Sequence, residues 1–213
     1  LPGIDALAQA IGNDGIGHDH LVVLYSSSHL VWATRAWWLL RYAGHTNVKG
    51  AQRQFGRLDR RRFVDSHGRG ALPGNRLYGR RRSWAWFVNT EEMARGMREA
   101  VCTINALSPA LYAGTGDFYY GRRGHIPGSR SVYFADILRS EFFLPASELT
   151  EVLDAQGMLS APRTLIYCGG GIAATLDGFA CMLLGQDNVG VYDGSMSEWA
   201  ADDTLPLTLG DTP

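Results

Sequence analysis

Cys168-Gly169-Gly170-Gly171-Ile172-Ala173 is the stretch of this chain best suited to chemistry. It lies between an apolar strand-like run and an apolar helix-like run. Three glycines let a backbone curl so that several N–H groups face one point. A helix beginning near Ala173 adds the positive end of its dipole. A thiol in that field is stabilised as thiolate, the reactive form of cysteine. The same cradle suits a persulfide or a small anion. A buried structural cysteine before a glycine-rich turn is the other reading, and the loop alone leaves the two open.

The elements that position this loop occur twice. Leu165-Ile166-Tyr167 is followed by Ala174-Thr175, an apolar helix, Gly185 and Asn188-Val189. Earlier, Val22-Val23-Leu24-Tyr25 is followed by Ala33-Thr34, an apolar helix, Gly44 and Asn47-Val48. The offset is 142 at the tyrosine and 141 at each later point, so the first copy has one extra loop residue. Strand, tight loop, helix and strand make a βαβ unit, and hence a parallel sheet. Two copies predict two homologous α/β domains. The second copy runs on through Val189-Gly190-Val191-Tyr192-Asp193-Gly194-Ser195-Met196-Ser197-Glu198-Trp199, a strand, a turn and a helix start. Ser195 or Ser197 is the expected N-cap.

Composition narrows the class. The chain has 213 residues, 46% of them apolar, with a formal net charge of −1. That length supports one or two domains with real cores. The near-neutral balance argues against a general nucleic-acid or membrane-surface binder. No apolar run reaches the roughly 18 residues of a membrane helix; the best candidate, Leu30 to Leu40, is broken by Arg35. Three cysteines make no disulfide framework, so reduced thiols and a cytoplasmic setting are expected. The six histidines show no ligand spacing with the cysteines, so neither a metal nor another cofactor is expected.

Residues 51–86 depart from this average. They hold ten Arg against two acids, Asp59 and Asp65, in a chain with 20 Lys and Arg in all. They show neither helical nor strand periodicity. Where the repeat predicts a counterpart of Asp193 to Trp199, the chain reads Gln52-Arg53-Gln54-Phe55-Gly56-Arg57-Leu58-Asp59. Codons compatible with that stretch, read one base later, can spell Asn-Gly-Ser-Leu-Ala-Ala-Trp, a close parallel of the second repeat. We therefore read residues 51–86 as an out-of-frame segment, with a genuine basic linker as the alternative. Thr90 followed by Glu91 and Glu92 marks a new helix start. The expected organisation is a partial, non-catalytic domain over 1–50, the linker over 51–86, and a complete catalytic domain over 87–213. The chain does not open with Met, and the first copy is expected to lack its front half, leaving low activity and an exposed apolar face around Trp37 and Trp38.

Two further motifs flank the loop: Gly124-His125-Ile126-Pro127-Gly128-Ser129 upstream and Tyr192-Asp193-Gly194-Ser195-Met196-Ser197-Glu198-Trp199 downstream. In this order the three motifs resemble the rhodanese sulfurtransferases, specifically the tandem-domain thiosulfate/3-mercaptopyruvate class. The resemblance covers about Val88 to Leu207 and part of the first domain, Leu1 to Val48. It implies an α/β fold: a doubly wound, five-stranded parallel sheet, complete in the C-terminal domain and incomplete in the N-terminal copy. It implies Cys168 as nucleophile and a persulfide intermediate, with Gly169, Gly170, Gly171, Ile172 and Ala173 as the substrate-binding loop. The partners implied are a small-molecule sulfur donor and a thiol acceptor, either a small thiol or a thioredoxin-like protein, or cyanide. The matching first-domain loop, Ser26-Ser27-Ser28-His29-Leu30-Val31-Trp32, has no cysteine and is expected to be silent.

The departures from the family bear on substrate. Gly170 stands where the mercaptopyruvate branch has Ser, and the loop has none of the basic residues of the thiosulfate branch. Asn105-Ala106-Leu107 replaces Asp-x-Arg, and Ala113 precedes Gly114 where a second arginine is expected, so the carboxylate clamp is missing. No arginine closes the loop either, which argues against the phosphatases of this fold.

Three residues are candidate supports. His125 could assist proton transfer, but fixing the turn before Pro127 is the favoured role. Asp193 could accept N–H groups of the loop or be a turn residue before Gly194. Ser195 could donate to a substrate oxygen, with helix capping favoured. Cys102 and Cys181 read as inert thiols. Arg122 and Arg123 read as a solvated loop. Two functions follow: sulfur transfer through Cys168, or a non-catalytic rhodanese-like binding or sulfur-carrier module. The frame reading predicts that the nucleotide sequence carries two compensating shifts around residues 51–86. An open frame in close relatives that also encodes the arginine-rich residues would end it.

Overall fold

The computed structural model describes residues 1–50, 86–99 and 101–213. The arginine-rich stretch, read above as a linker or shifted frame, lies outside the described residues except for Trp86. The chain divides into two compact units, Leu1–Trp84 and Ala85–Pro213.

The first unit contains α1 (Ile4–Asn13), β1 (Val22–Leu24), α2 (Leu30–Tyr42) and β2 (Val48–Gly50). β1 and β2 pair in parallel, with Val22 opposite Val48. α1 is not among the sequence expectations. Its Leu7, Ala8 and Ile11 share one helical face and pack on Ala43. The expected exposed face around Trp37 and Trp38 is corrected. Trp38 is fully buried and Trp37 half-buried. Trp38 follows Thr34 by four residues, so the two share the inward face of α2. The exposed tryptophan of this helix is Trp32.

The second unit runs β3 (Phe87–Val88), α3 (Thr90–Gly96), β4 (Cys102–Asn105), α4 (Pro109–Ala113), β5 (Arg130–Ser131), β6 (Leu138–Arg139), β7 (Phe142–Phe143), α5 (Ala146–Ala155), β8 (Thr164–Tyr167), α6 (Ala174–Leu183), β9 (Val189–Tyr192) and α7 (Ser195–Trp199). Five strands form one sheet in the order β3-β9-β8-β4-β5, and every pairing is parallel. The fold is α/β, as expected. β8 and β9 are buried at every position, which is why they read as continuous apolar runs rather than alternating ones. β6 and β7 form a separate antiparallel hairpin. α3 starts one residue earlier than its acidic pair suggests: Asn89 is the N-cap and forms a capping box with Glu92.

The sequence repeat reappears as register. Thr164 of β8 lies opposite Val189 of β9, the counterparts of Val22 and Val48 at offsets of 142 and 141. The connections leave β4 toward β5 on one side and β8 toward β9 on the other. The carboxyl ends of β4 and β8 therefore flank the topological switch point, where α/β sheets bind ligands. Asn105 and Tyr167 end these two strands side by side, and Cys168 is the next residue.

α6 carries one polar group into the core. Asp177 is fully buried and neither carboxylate oxygen has a hydrogen-bond partner among the described residues. Burial raises its pKa well above the ordinary carboxylate value. The folded chain then keeps a proton that the unfolded chain has lost. Stability from this group is greatest below the unfolded pKa and falls as pH rises toward the folded one, with a slope approaching about 1.4 kcal/mol per pH unit. Asp177→Asn should remove that slope. Urea denaturation between pH 4.5 and 7.5 checks it: the variant should gain on the wild type as pH rises, and a constant difference would contradict the account.

Candidate active site

Cys168 is 2% exposed and sits where β8 ends. Its loop is held by the turn and helix that follow β9. The Cys168 N–H donates to the Ser195 hydroxyl at 3.0 Å, and that hydroxyl donates to the Tyr192 carbonyl at 2.7 Å. The Cys168 carbonyl accepts from Met196 N at 3.0 Å, and the Gly169 carbonyl from Ser197 N at 2.9 Å. The Ser197 hydroxyl also donates to the Gly169 carbonyl, at 2.7 Å. With those carbonyls occupied, the loop's N–H groups remain. Those of Gly169, Gly170, Ile172 and Ala173 have no acceptor among the described residues. α6 begins beside them without a side-chain cap; the N–H groups of Thr175 and Leu176 close its first turn on the Ile172 and Ala173 carbonyls at 3.1 and 2.9 Å, and the helix adds a positive dipole end. This is a site for an anion or for negative charge developing on sulfur.

Ser195 is the centre of this arrangement. Its Oγ lies 3.9 Å from Cys168 Sγ. It occupies the left-handed region, with φ at 49°, an uncommon conformation for a residue with a side chain. The expected cap is corrected: Gly194 is the N-cap of α7, and neither Ser195 nor Ser197 caps it by its side chain. Both hydroxyls turn to the cysteine loop instead.

Only Gly171, with φ at +75°, uses the backbone freedom expected of all three loop glycines. A Cβ there would also lie 2.5 Å from the Asp193 carbonyl oxygen, so Asp193 meets the loop through its main chain. Gly170 is exposed, and a Cβ on it would lie 4.0 Å from the Ser197 hydroxyl. Gly169 is packed under the side chain of Tyr120: a Cβ would fall on the hydroxyl end of that ring and 2.6 Å from its Cε1. Tyr120 is the neighbour of the site that sequence reasoning passed over. Its segment shows no periodicity, and only the fold brings it to the loop.

His125 packs in the core. It is fully buried, its ring stacks on Tyr112 at 3.8 Å, and Nδ1 pairs with the Tyr112 carbonyl at 2.9 Å. Its main chain exchanges two hydrogen bonds with Thr208, each 2.9 Å. Its motif nevertheless reaches the site through Tyr167. Ile126 N donates to the Tyr167 hydroxyl at 2.9 Å, and Ser129 Oγ lies 2.7 Å from it. Burial pushes the Tyr167 phenol well up, so it stays protonated and fixed. Arg122 donates to the carbonyls of Trp199, Ala200 and Asp202, and Arg123 to those of Gly114 and Gly116. Asn105, in place of the family's Asp, accepts from Leu107 N at 2.7 Å. Cys102 donates to the Gln156 carbonyl at 3.4 Å, and burial raises the pKa of both Cys102 and Cys181.

Cys168 thus lies at the switch point in a turn whose Cys168 and Gly169 carbonyls are tied back. The Rhodanese-like domain family matches residues 96–202, just over half of the chain. The chain belongs to the rhodanese family of sulfurtransferases. It is 27% identical to the 3-mercaptopyruvate sulfurtransferase of Escherichia coli K12, over 97% of this chain and 74% of that protein. A solved 3-mercaptopyruvate sulfotransferase from Escherichia coli superposes on 92% of this chain and 74% of that one, with a TM-score of 0.78 at 25% identity. The anaerobic ergothioneine biosynthesis enzyme of Chlorobium limicola, in complex with trimethyl histidine, superposes on 98% of this chain with a TM-score of 0.84 at 21% identity. This rhodanese chain spans 55% of that enzyme's length.

Gly171→Ala should be the most damaging glycine substitution of this loop for stability. It adds a clash with main chain to the cost of a positive φ, for a loss on the order of 2 kcal/mol or more. Gly185→Ala, also at positive φ but with open space around it, should lose about 1 kcal/mol. Denaturant titration of both checks this; equal losses would contradict it.

Proposed function

We propose that this protein transfers sulfane sulfur through a persulfide on Cys168. The observation that supports it best is the set of unclaimed N–H groups around a cysteine at the end of β8. The Cys168 thiolate attacks the outer sulfur of a donor such as thiosulfate or 3-mercaptopyruvate. The Sγ–S bond forms and the donor's bond to that sulfur breaks. Its electron pair leaves with sulfite or with the enolate of pyruvate. The loop N–H groups then stabilise the terminal sulfur anion. An acceptor thiol, on a small molecule or a thioredoxin-like protein, or cyanide removes the sulfur and restores the thiolate. Ser195 orients Cys168 through its N–H; His125 and Asp193 act at one remove, through the packing of the turn and of Gly171.

The alternative is a non-catalytic rhodanese-like binding or sulfur-carrier module. It is favoured by the missing arginine clamp, since Leu107 and Ala113 stand at the clamp positions and Arg122 and Arg123 are engaged by carbonyls. Turnover separates the two readings. With thiosulfate or 3-mercaptopyruvate as donor and cyanide as acceptor, the wild type should release thiocyanate over many cycles. Cys168→Ser should abolish this, while Cys102→Ser and Cys181→Ser stay within about twofold. Activity in Cys168→Ser would sink the assignment, and a single cycle without turnover would favour the carrier.

A further inference from the structure

We propose that Tyr120 is a catalytic residue of this site, its phenol O–H donating a hydrogen bond to the anionic sulfur borne by Cys168. This rests on the sulfur-transfer reading and names the group that does the work of the missing cations.

The placement of Tyr120 is specific. Its hydroxyl end occupies the space a side chain on Gly169, the residue after Cys168, would need. Gly169 has no positive φ, so its backbone does not require glycine; the close approach of Tyr120 does. The hydroxyl has no hydrogen-bond partner among the described residues, whereas the phenols of Tyr112, Tyr167 and Tyr192 all have one. A half-buried phenol left unpaired beside a nucleophile is available to a ligand.

The ring is also held. Phe118 packs on it edge-to-face, with centroids 4.9 Å apart. Tyr120 bridges to Arg122 through the main chain, and Arg122 is fastened to carbonyls at the end of α7. The helix that pins the cysteine loop through Met196 and Ser197 thus anchors the tyrosine segment as well. Burial first, and the charge of Cys168 second, raise the Tyr120 pKa. The phenol therefore remains a donor at neutral pH.

During the attack Tyr120 keeps its proton. The Sγ–S bond forms, the donor's bond to that sulfur breaks, and the leaving group takes the electron pair. The hydrogen bond follows the negative charge from the Cys168 sulfur to the terminal persulfide sulfur. A hydrogen bond to an ionised acceptor is about twice as strong as a neutral one.

The test uses the full chain carrying Cys102→Ser and Cys181→Ser, so that every thiol signal comes from Cys168. Tyr120→Phe keeps the ring over Gly169 and should leave the melting temperature unchanged. It should slow carboxymethylation of Cys168 by iodoacetate at pH 7 at least fivefold. It should slow single-turnover persulfide formation from thiosulfate or 3-mercaptopyruvate by 10- to 100-fold. A second variant, with 3-fluorotyrosine at 120, retains a hydroxyl but loses its proton at lower pH. The alkaline loss of alkylation rate should move down with it, which a purely structural ring would not cause. If the parent takes no sulfur from either donor, the sulfur-transfer reading fails, and the alkylation arms alone judge the hydrogen bond. Alkylation and persulfide rates within twofold of the parent in Tyr120→Phe, with no shift in the fluorotyrosine profile, would overturn the proposal.

Discussion

The candidate site depends on two main-chain carbonyls being turned away from it. Those of Cys168 and Gly169 accept from Met196 and Ser197 at the start of α7. A buried carbonyl without a partner costs about 1–3 kcal/mol, so these bonds fix the loop's direction as well as its stability. Once both oxygens point to α7, the following N–H groups are left as donors. The positive φ of Gly171 and the left-handed Ser195 are the local conformations through which the two segments meet. The strain at Ser195 is matched by its two hydrogen bonds, to Cys168 and Tyr192.

Among the described residues, the loop turns main-chain dipoles toward Cys168. The arginines nearest in sequence to Tyr120 are engaged by carbonyls, and the positions of the family's clamp hold Leu107 and Ala113. On the proposed reading a dianionic donor meets the loop N–H groups, the end of α6 and the Tyr120 hydroxyl, since the hydroxyls of Ser195 and Ser197 already donate to carbonyls. A planar cation of the kind that grips a carboxylate by two bonds is absent from positions 107 and 113. The aromatic segment Phe118-Tyr119-Tyr120 adds apolar surface, with Phe118 60% exposed.

The parallel sheet was legible because β8 and β9 are central strands, and central strands read as unbroken apolar runs. The repeat was legible from matched local spacings, since β1 and β2 are only partly buried, and its offsets match the pairing register. Cys168 stood out because a glycine run between strand and helix is a local pattern. What the sequence concealed is non-local. Ser195 looks like a helix cap from its neighbours, yet its hydroxyl is drawn to a residue 27 positions away. Tyr120 lies in an aperiodic segment and reaches Gly169 only through the fold. Trp37 and Trp38 read as helix-face core residues whose face is expected to lie open for want of a front half, and Trp38 is buried. Asp177 breaks the apolar pattern of α6 without any local sign that it is wholly buried.

The most direct measurement is the intact mass of the protein after brief exposure to excess thiosulfate or 3-mercaptopyruvate, followed by peptide mapping under non-reducing conditions. The account predicts a gain of one sulfur atom on the peptide containing Cys168, removed by cyanide. An unchanged mass with both donors, or sulfur found on Cys102 or Cys181 instead, would contradict it.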